Sequence, residues 1–326
     1  MNHWMKTVIP ALAGCFMALA ASVAPAQTWP SKPVRIIVPF PAGGAGDIVP
    51  RIIGERLSEV WGQAIIVENK AGAEGAIGVN AVAKANPDGY TLGVATSGPV
   101  VIGKRLFPNL PYDPKTDLAP VVLTYQTPFV LIVPPTSPAK SLSDLLQLAK
   151  QNPGKLNIAI PNSGSVQHLL SEQMKSVTKI DITNIPYKGG SPAAIAVASG
   201  EVDMSWAALP NVMSLIKAGR IRALAVSSEQ RDPLLKDVPT VGEQGWPMLV
   251  AINWNGLIAP AGTPEAVLEK LNKEINAIMA QPEVARQFSQ MGVSALGGTR
   301  QQFSSLMSNE EQKWNKVITA ADIKPL

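Results

Sequence analysis

The stretch Val34-Arg-Ile-Ile-Val-Pro-Phe-Pro-Ala-Gly-Gly-Ala-Gly-Asp47 decides how this chain is read. Five mostly apolar residues, Val34 to Val38, stop at a proline and give way to a glycine-rich turn. Beyond it Ile48, Ile52, Ile53, Leu57 and Val60 recur at helical spacing. Strand, glycine turn and helix form the opening unit of an α/β layer. Glycines without Cβ atoms let backbone N–H groups approach a ligand, and a helix start adds partial positive charge, so an anion suits this turn. Asp47 reads as the helix N-cap, bonding Val49 because Pro50 lacks an N–H. The turn matches neither G-x-G-x-x-G nor G-x-x-x-x-G-K-[ST], so a nucleotide phosphate site is not indicated, and a plain tight turn explains it as readily as a binding loop.

Outward from this unit the alternation continues. Strands are expected at Ala64 to Glu68, Tyr90 to Ala95, Val121 to Tyr125, Phe129 to Val133, Leu156 to Ile160, Ile180 to Ile185, Asp203 to Trp206, Ile221 to Val226 and Ile252 to Ile258. Ser141-Leu-Ser-Asp144 opens a helix over Leu142 to Lys150, Ser165 caps one over Val166 to Val177, and helices follow Pro264, Pro282 and Gln301. A length of 326 residues is about twice that of a usual domain, which points to two α/β lobes with separate cores.

Four loops of glycine and hydroxyl residues fall at strand ends: Phe40 to Asp47 with Ala42, Gly43 and Gly44; Ser97-Gly98; Ser163-Gly164-Ser165; and Tyr187-Lys188-Gly189-Gly190. Ligands of open α/β sheets sit beyond the carboxyl ends of strands, so the four together suggest a donor-rich cleft. Ser165 is expected to donate to a bound carboxylate or its water while capping its helix. Each candidate has a plainer reading beside it: His168 as a capping or packing residue, Lys188 as a solvent-facing turn residue, and Trp206 as core rather than cleft wall.

Hydrophobic residues at 46% and charged residues at 16% indicate a folded chain, and the net charge of +4 is interspersed, with none of the basic stripe that nucleic-acid binding needs. Two histidines and one cysteine leave no set of metal ligands, and no cofactor is called for. Residues 1–26 read as a signal peptide, with Lys6, an apolar run from Thr7 to Val23, and cleavage after Ala26. Leu12-Ala13-Gly14-Cys15 also fits a lipoprotein box, but cutting there would strand Phe16 to Ala21 in the mature chain, so soluble export is favoured. Gly189-Gly-Ser191-Pro-Ala193 falls one glycine short of a hydrolase elbow, which argues against an enzyme.

Trp29-Pro-Ser-Lys-Pro-Val-Arg-Ile-Ile-Val-Pro-Phe40, Val67-Glu-Asn-Lys70, Asn86-Pro-Asp-Gly-Tyr-Thr91, Leu110-Pro-Tyr-Asp-Pro114, Pro186-Tyr-Lys-Gly-Gly190, Lys217-Ala-Gly-Arg-Ile-Arg-Ala-Leu-Ala-Val226 and Asp237-Val-Pro-Thr-Val241 resemble, in order, the Bug family of periplasmic receptors for tripartite tricarboxylate transporters. The resemblance spans Trp29 to Lys324. It implies a two-lobed type II periplasmic-binding fold that holds a small carboxylate in the cleft through main-chain groups, hydroxyls and water, as a monomer serving the transporter's membrane subunits. It assigns Phe40, Gly43, Gly44, Asp47, Ser97, Gly98, Gly164, Ser165, His168, Tyr187, Lys188, Gly189, Gly190 and Asp203 to the site. On this basis residues 28–126 with 249–326 form lobe 1 and 127–248 form lobe 2, hinged near Thr124 to Phe129 and Pro247 to Ile252. A ligand-sensing receptor for a membrane sensor is the alternative role. The family's Ser-Ser-Gly-x-Gly-Ser pattern is replaced here by Ile160-Pro161-Asn162-Ser163-Gly164-Ser165, and Val100 and Ala207 stand where polar residues are common. With Trp206 beside them, these apolar residues suggest one carboxylate on an aromatic or aliphatic body in preference to citrate.

Overall fold

A computed structural model describes residues 29 to 325; the signal peptide and Cys15 lie outside the described residues. The first half-sheet contains β1 (Val34–Val38), helix α1 (Ala45–Trp61), β2 (Ile65–Asn69), α2 (Ala76–Ala83) and β3 (Thr91–Ala95). A π-helical turn, Gly98–Ile102, then runs into the short α3 (Gly103–Leu106). Strand β4 (Leu118–Val133) leads into α4 (Leu142–Gln151), β5 (Leu156–Ile160), α5 (Val166–Thr178), β6 (Ile182–Pro186), α6 (Gly190–Ser199), β7 (Met204–Ala208), α7 (Leu209–Lys217) and β8 (Arg222–Val226). The chain returns through β9 (Ile252–Pro260) and ends in α8 (Glu265–Met279), α9 (Pro282–Gln290), β10 (Ser294–Ala295) and α10 (Arg300–Ala320).

Parallel pairing of β1 with β2 and β3 requires strands buried on both faces, which is why Val34, Ile36, Ile37 and Val38 form a near-continuous apolar run with no exposed surface. The other parallel group joins β5 to β6 and β7. Between the groups, β4 and β9 run antiparallel. Val121 to Tyr125 and Phe129 to Val133, expected as two strands, are two halves of the single β4. Leu118 to Pro128 pair with β9, whereas Phe129 to Val133 pair with β7 and β8. Pro128, which has no N–H to donate, stands where the partners change, so it leaves the strand unbroken.

The crossing is tied by Ser227, which is fully buried. The Phe129 N–H donates to Ser227 Oγ at 2.9 Å, and that hydroxyl donates to the Ala251 carbonyl at 2.6 Å. The Ala251 N–H returns a bond to the Ser227 carbonyl at 2.9 Å. The two passages of chain between the sheets, at Phe129 and at Ala251, therefore meet at one hydroxyl just beyond β8.

Local chemistry sets the helix ends. Ser141 Oγ accepts from the Asp144 N–H at 3.1 Å, as its spacing implied. Thr299 and Gln302 form a reciprocal capping box that starts α10 one residue before the expected Gln301. Helix α1 begins three residues earlier than its apolar pattern suggested, so its inner face carries Val49, Ile53 and Leu57, while Ile48 and Val60 are 37% and 62% exposed. Asp47 is consequently not the N-cap. Gly44 occupies that place, and Asp47 lies in the first turn.

Helix α10 packs directly on the central strands. A Cβ at Gly256 of β9 would run into the Phe303 ring and approach the Val122 carbonyl at 2.8 Å, so only glycine lets α10 sit this close. Gly256→Ala is expected to cost about 2 kcal/mol in urea unfolding through overpacking; an unchanged midpoint would show that Phe303 swings aside freely.

Candidate functional site

A cleft of about 460 Å³ opens where the carboxyl ends of β1, β3 and β5 face one another. Its first wall is the turn between β1 and α1, shaped by Asp47. That carboxylate is 4% exposed; Oδ2 accepts from the Gly43 N–H at 3.0 Å, and Oδ1 from Arg51 Nη2 at 2.7 Å and Asn69 Nδ2 at 2.9 Å. Asn69 Nδ2 also donates to the Phe40 carbonyl at 3.0 Å, so strand β2 holds both ends of the turn. Gly43, at φ +100°, supplies the backbone bend this closure needs. Burial pushes the Asp47 carboxyl up, but the Arg51, Gly43 and Asn69 hydrogen bonds and the Arg51 charge outweigh it and hold it at about 2. The negative charge is thus matched within the loop. Ala45 and Gly46, in the first turn of α1, line the cleft and have no intrahelical acceptor for their N–H groups.

The second wall is Thr96 to Gly98 at the end of β3. Ser97 Oγ donates to Glu310 Oε2 at 3.0 Å, which turns the hydroxyl to the back of the loop. At Gly98 a Cβ would meet nothing within 4 Å, so the backbone here is open to the cleft. The floor comes from the central strands: Tyr125, Thr127, Asn253 and Asn255. Asn255 is 2% exposed, and its Oδ1 has no hydrogen-bond partner. Burial pushes the Tyr125 phenol up, so it stays neutral.

Across the cleft stand the starts of α5 and α6, represented by Gly164 to Gln167 and Lys188 to Pro192. Ser165 caps α5, accepting from the His168 N–H at 3.1 Å, but its own proton goes to the Asn162 carbonyl at 2.9 Å. In this arrangement its hydroxyl is not free to donate to a ligand; the first-turn amides of Val166 and Gln167 are the available donors. Asn162 Nδ2 reaches over the cleft to Glu74 Oε2, a contact between segments that sequence reading did not connect. Glu74 and its neighbour Ala73 hold left-handed backbone, φ 56° and 45°, and burial pushes the Glu74 carboxyl up.

Phe40, Ala42, Gly44, Asp47, Ser97, Gly98, Gly164, Ser165, Lys188, Gly189 and Gly190 all line the cleft. The remaining candidates stand elsewhere. His168 Nδ1 accepts from the Gly164 N–H at 3.1 Å, and burial lowers its proton affinity, so it is a neutral brace behind the Ser165 turn. Tyr187 gives its hydroxyl to Glu201 at 2.7 Å, and Asp203 accepts from the Asn157 N–H at 2.7 Å at the far ends of the strands. Gly43 and Ser163 support their turns without lining the cleft. Trp206, Val100, Ile160 and Ala207 are buried and none of them lines the cleft, so these four do not form an apolar cleft wall. The strand period explains this: Ile160 and Trp206 point into a sheet covered by helices. Among the described residues no group of His, Cys, Asp and Glu could hold a metal ion. Glu74, Asn253 and Asn255 carried no local pattern that could have marked them.

Because Asp47 is held below its ordinary 3.8, it contributes stability that is complete above about pH 4 and is lost as pH falls toward about 2. Thermal unfolding across this range should show a steep acid loss in the wild type. Asp47→Asn should be less stable at pH 7 and flatter below pH 4; an equally steep acid limb would place the titration elsewhere.

The profile of the tripartite tricarboxylate transporter family receptor matches residues 49–323. BugT of Bordetella pertussis is 36% identical over 323 residues, covering 98% of this chain and 99% of that protein. Among solved structures, a protein of R. palustris with adipate aligns with a TM-score of 0.85 and 35% identity over 91% of this chain and all of that one. MatC from Rhodopseudomonas palustris, with bound malate, aligns with a TM-score of 0.80 and 32% identity, covering 89% of this chain and 100% of that chain. The profile spans most of the chain, and these relatives match nearly end to end, so the chain belongs to the receptor family of the tripartite tricarboxylate transporters.

Proposed function

We propose that this protein is a periplasmic receptor that closes on a small carboxylate and passes it to the membrane subunits of a tripartite tricarboxylate-type transporter, without chemistry of its own. The observation that carries this is the opposition of helix starts. The first-turn amides of α1 on one wall face those of α5 and α6 on the other, with Lys188 beside the latter. Such amides attract an anion from both sides, and a ligand that meets both walls stabilises the closed arrangement. The adipate and malate held by two solved relatives agree with this.

Residues 28–126 with 249–326 would form one lobe and 127–248 the other, a division that follows the change of partners along β4 and the junction at Ser227. Phe40, Phe107, Leu110 and Pro161 give part of the cleft an apolar lining, so an acid with a hydrocarbon body suits it better than citrate. Ala42, Gly44, Ser97, Gly98, Gly164, Gly189 and Gly190 are the proposed main-chain contacts. Among the described residues the one histidine, His168, accepts the Gly164 N–H at Nδ1, so it is not free to serve Ser191 as a base.

Ligand-stripped protein should be titrated with adipate, malate, benzoate and citrate. A binding acid at about 100 times its Kd should add about 2.7 kcal/mol to unfolding stability, and adipate or benzoate should bind more tightly than citrate. Failure of every acid to stabilise the protein would overturn the carboxylate reading; tightest binding by citrate would overturn the apolar-bodied preference. The exported protein should begin at Gln27 by mass spectrometry, and a lipidated Cys15 at its N-terminus would contradict soluble export.

A further inference from the structure

Glu310 is a buried carboxylate that does not line the cleft, yet one of its hydrogen bonds reaches a loop that does. We propose that Glu310 is a positioning residue that sets the ligand loop Thr96 to Gly98 from behind and, with Lys313 one turn along α10, ties that loop to the chain crossing at Val250. The functional part rests on the reading above, in which this loop meets the ligand.

Glu310 is 9% exposed, and three donors converge on its Oε2: Ser97 Oγ at 3.0 Å, Trp314 Nε1 at 2.8 Å and, more weakly, Trp254 Nε1 at 3.4 Å. A carboxylate taken from water is costly unless donors surround it, and an apolar residue here would leave two buried indole N–H groups and the Ser97 hydroxyl without their acceptor. The acid therefore answers three donors at once. One of them, Ser97, belongs to the ligand loop. With its hydroxyl drawn toward α10, Ser97 turns backbone rather than side chain toward the cleft, and the π-helical turn from Gly98 starts from that fixed point. Trp254 immediately precedes Asn255 on β9, so the same carboxylate also touches the strand that supplies the cleft floor.

Lys313 extends the link. Its Nζ donates to the Val250 carbonyl at 2.7 Å and lies 4.4 Å above the Trp314 ring. Burial pushes the ammonium down, and the neighbouring Glu310 charge opposes that. Val250 precedes Ala251, whose N–H and carbonyl are both bonded to Ser227 at the crossing. One turn of α10 thus grips the ligand loop through an acid and the crossing through a base.

The test is amide hydrogen exchange on the full chain, comparing the wild type with Glu310→Ala, Glu310→Gln and Ser97→Ala. Gln can place its carbonyl oxygen where Oε2 stands and keep the three donors. Glu310→Ala and Ser97→Ala should speed exchange at Ser97 to Ile102 by about tenfold while β1 and β5 amides hold steady, and Glu310→Gln should stay near the wild type. Uniform acceleration, no acceleration, or a Gln variant as fast as Ala would overturn the positioning role. Ser97→Ala leaves Glu310 with both indoles and decides the matter if Glu310→Ala does not fold. Adipate calorimetry separates the two readings. Weaker adipate binding in Glu310→Ala, restored in Glu310→Gln, is the expected result. Unchanged affinity would remove the link to the ligand, and wild-type protein that ignores adipate would count against adipate as the ligand while the exchange result still stands.

Discussion

One strand serves two sheets, and every part of the cleft takes its place from that. Over its first eleven residues β4 pairs with β9, and over its last five with β7 and β8. Its hydrogen-bond ladder fixes the distance and angle between the two parallel groups whose carboxyl ends meet at the cleft. Ser227 closes the arrangement by bonding to both neighbouring passages of chain. The junction rests on ladder bonds and one buried hydroxyl, whereas each sheet is held by buried aliphatic faces.

On that frame loop backbone opens on the cleft from both walls, above a floor of Tyr125, Thr127, Asn253 and Asn255. The turn before α1 keeps its shape through Asp47, Arg51 and Asn69, and Ser97 is turned away from the cleft by Glu310. Ser165 spends its proton on the Asn162 carbonyl. Side chains that look like ligand donors are used to shape loops, and the amides they expose face the cleft. Such a site offers partial charges in fixed positions, an arrangement that suits an anion without an opposing arginine.

This division of labour explains what could be read in the sequence. Val34 to Val38 and the helical period after it were legible because burial on both faces and a 3.6-residue repeat leave local traces. The capping of α4 was legible for the same reason, since Ser141 and Asp144 are three residues apart. Asp47 could be placed near the cleft but not given its task, because Asn69 lies 22 residues away. Continuity of β4 was hidden by Pro128, which reads as a strand breaker unless the change of partner is known. Glu310, 213 residues from Ser97, and Glu74, 88 from Asn162, left no local pattern. Trp206 is a candidate for the cleft wall because it lies near a strand end, and Ile160 because it stands where the resembled pattern has a hydroxyl; only the folded chain shows both buried away from the cleft.

The central claim is that the ligand is held between the two halves, and the most direct measurement is a distance across the cleft. Val60 on α1 and Ile195 on α6 are exposed, and the described residues contain no cysteine, so Val60→Cys with Ile195→Cys gives a labelling pair for energy transfer. Saturating adipate should shorten the mean distance and narrow its distribution, with a midpoint equal to the calorimetric Kd. Adipate that binds with full affinity while the distance distribution stays unchanged would contradict capture between opposed helix starts.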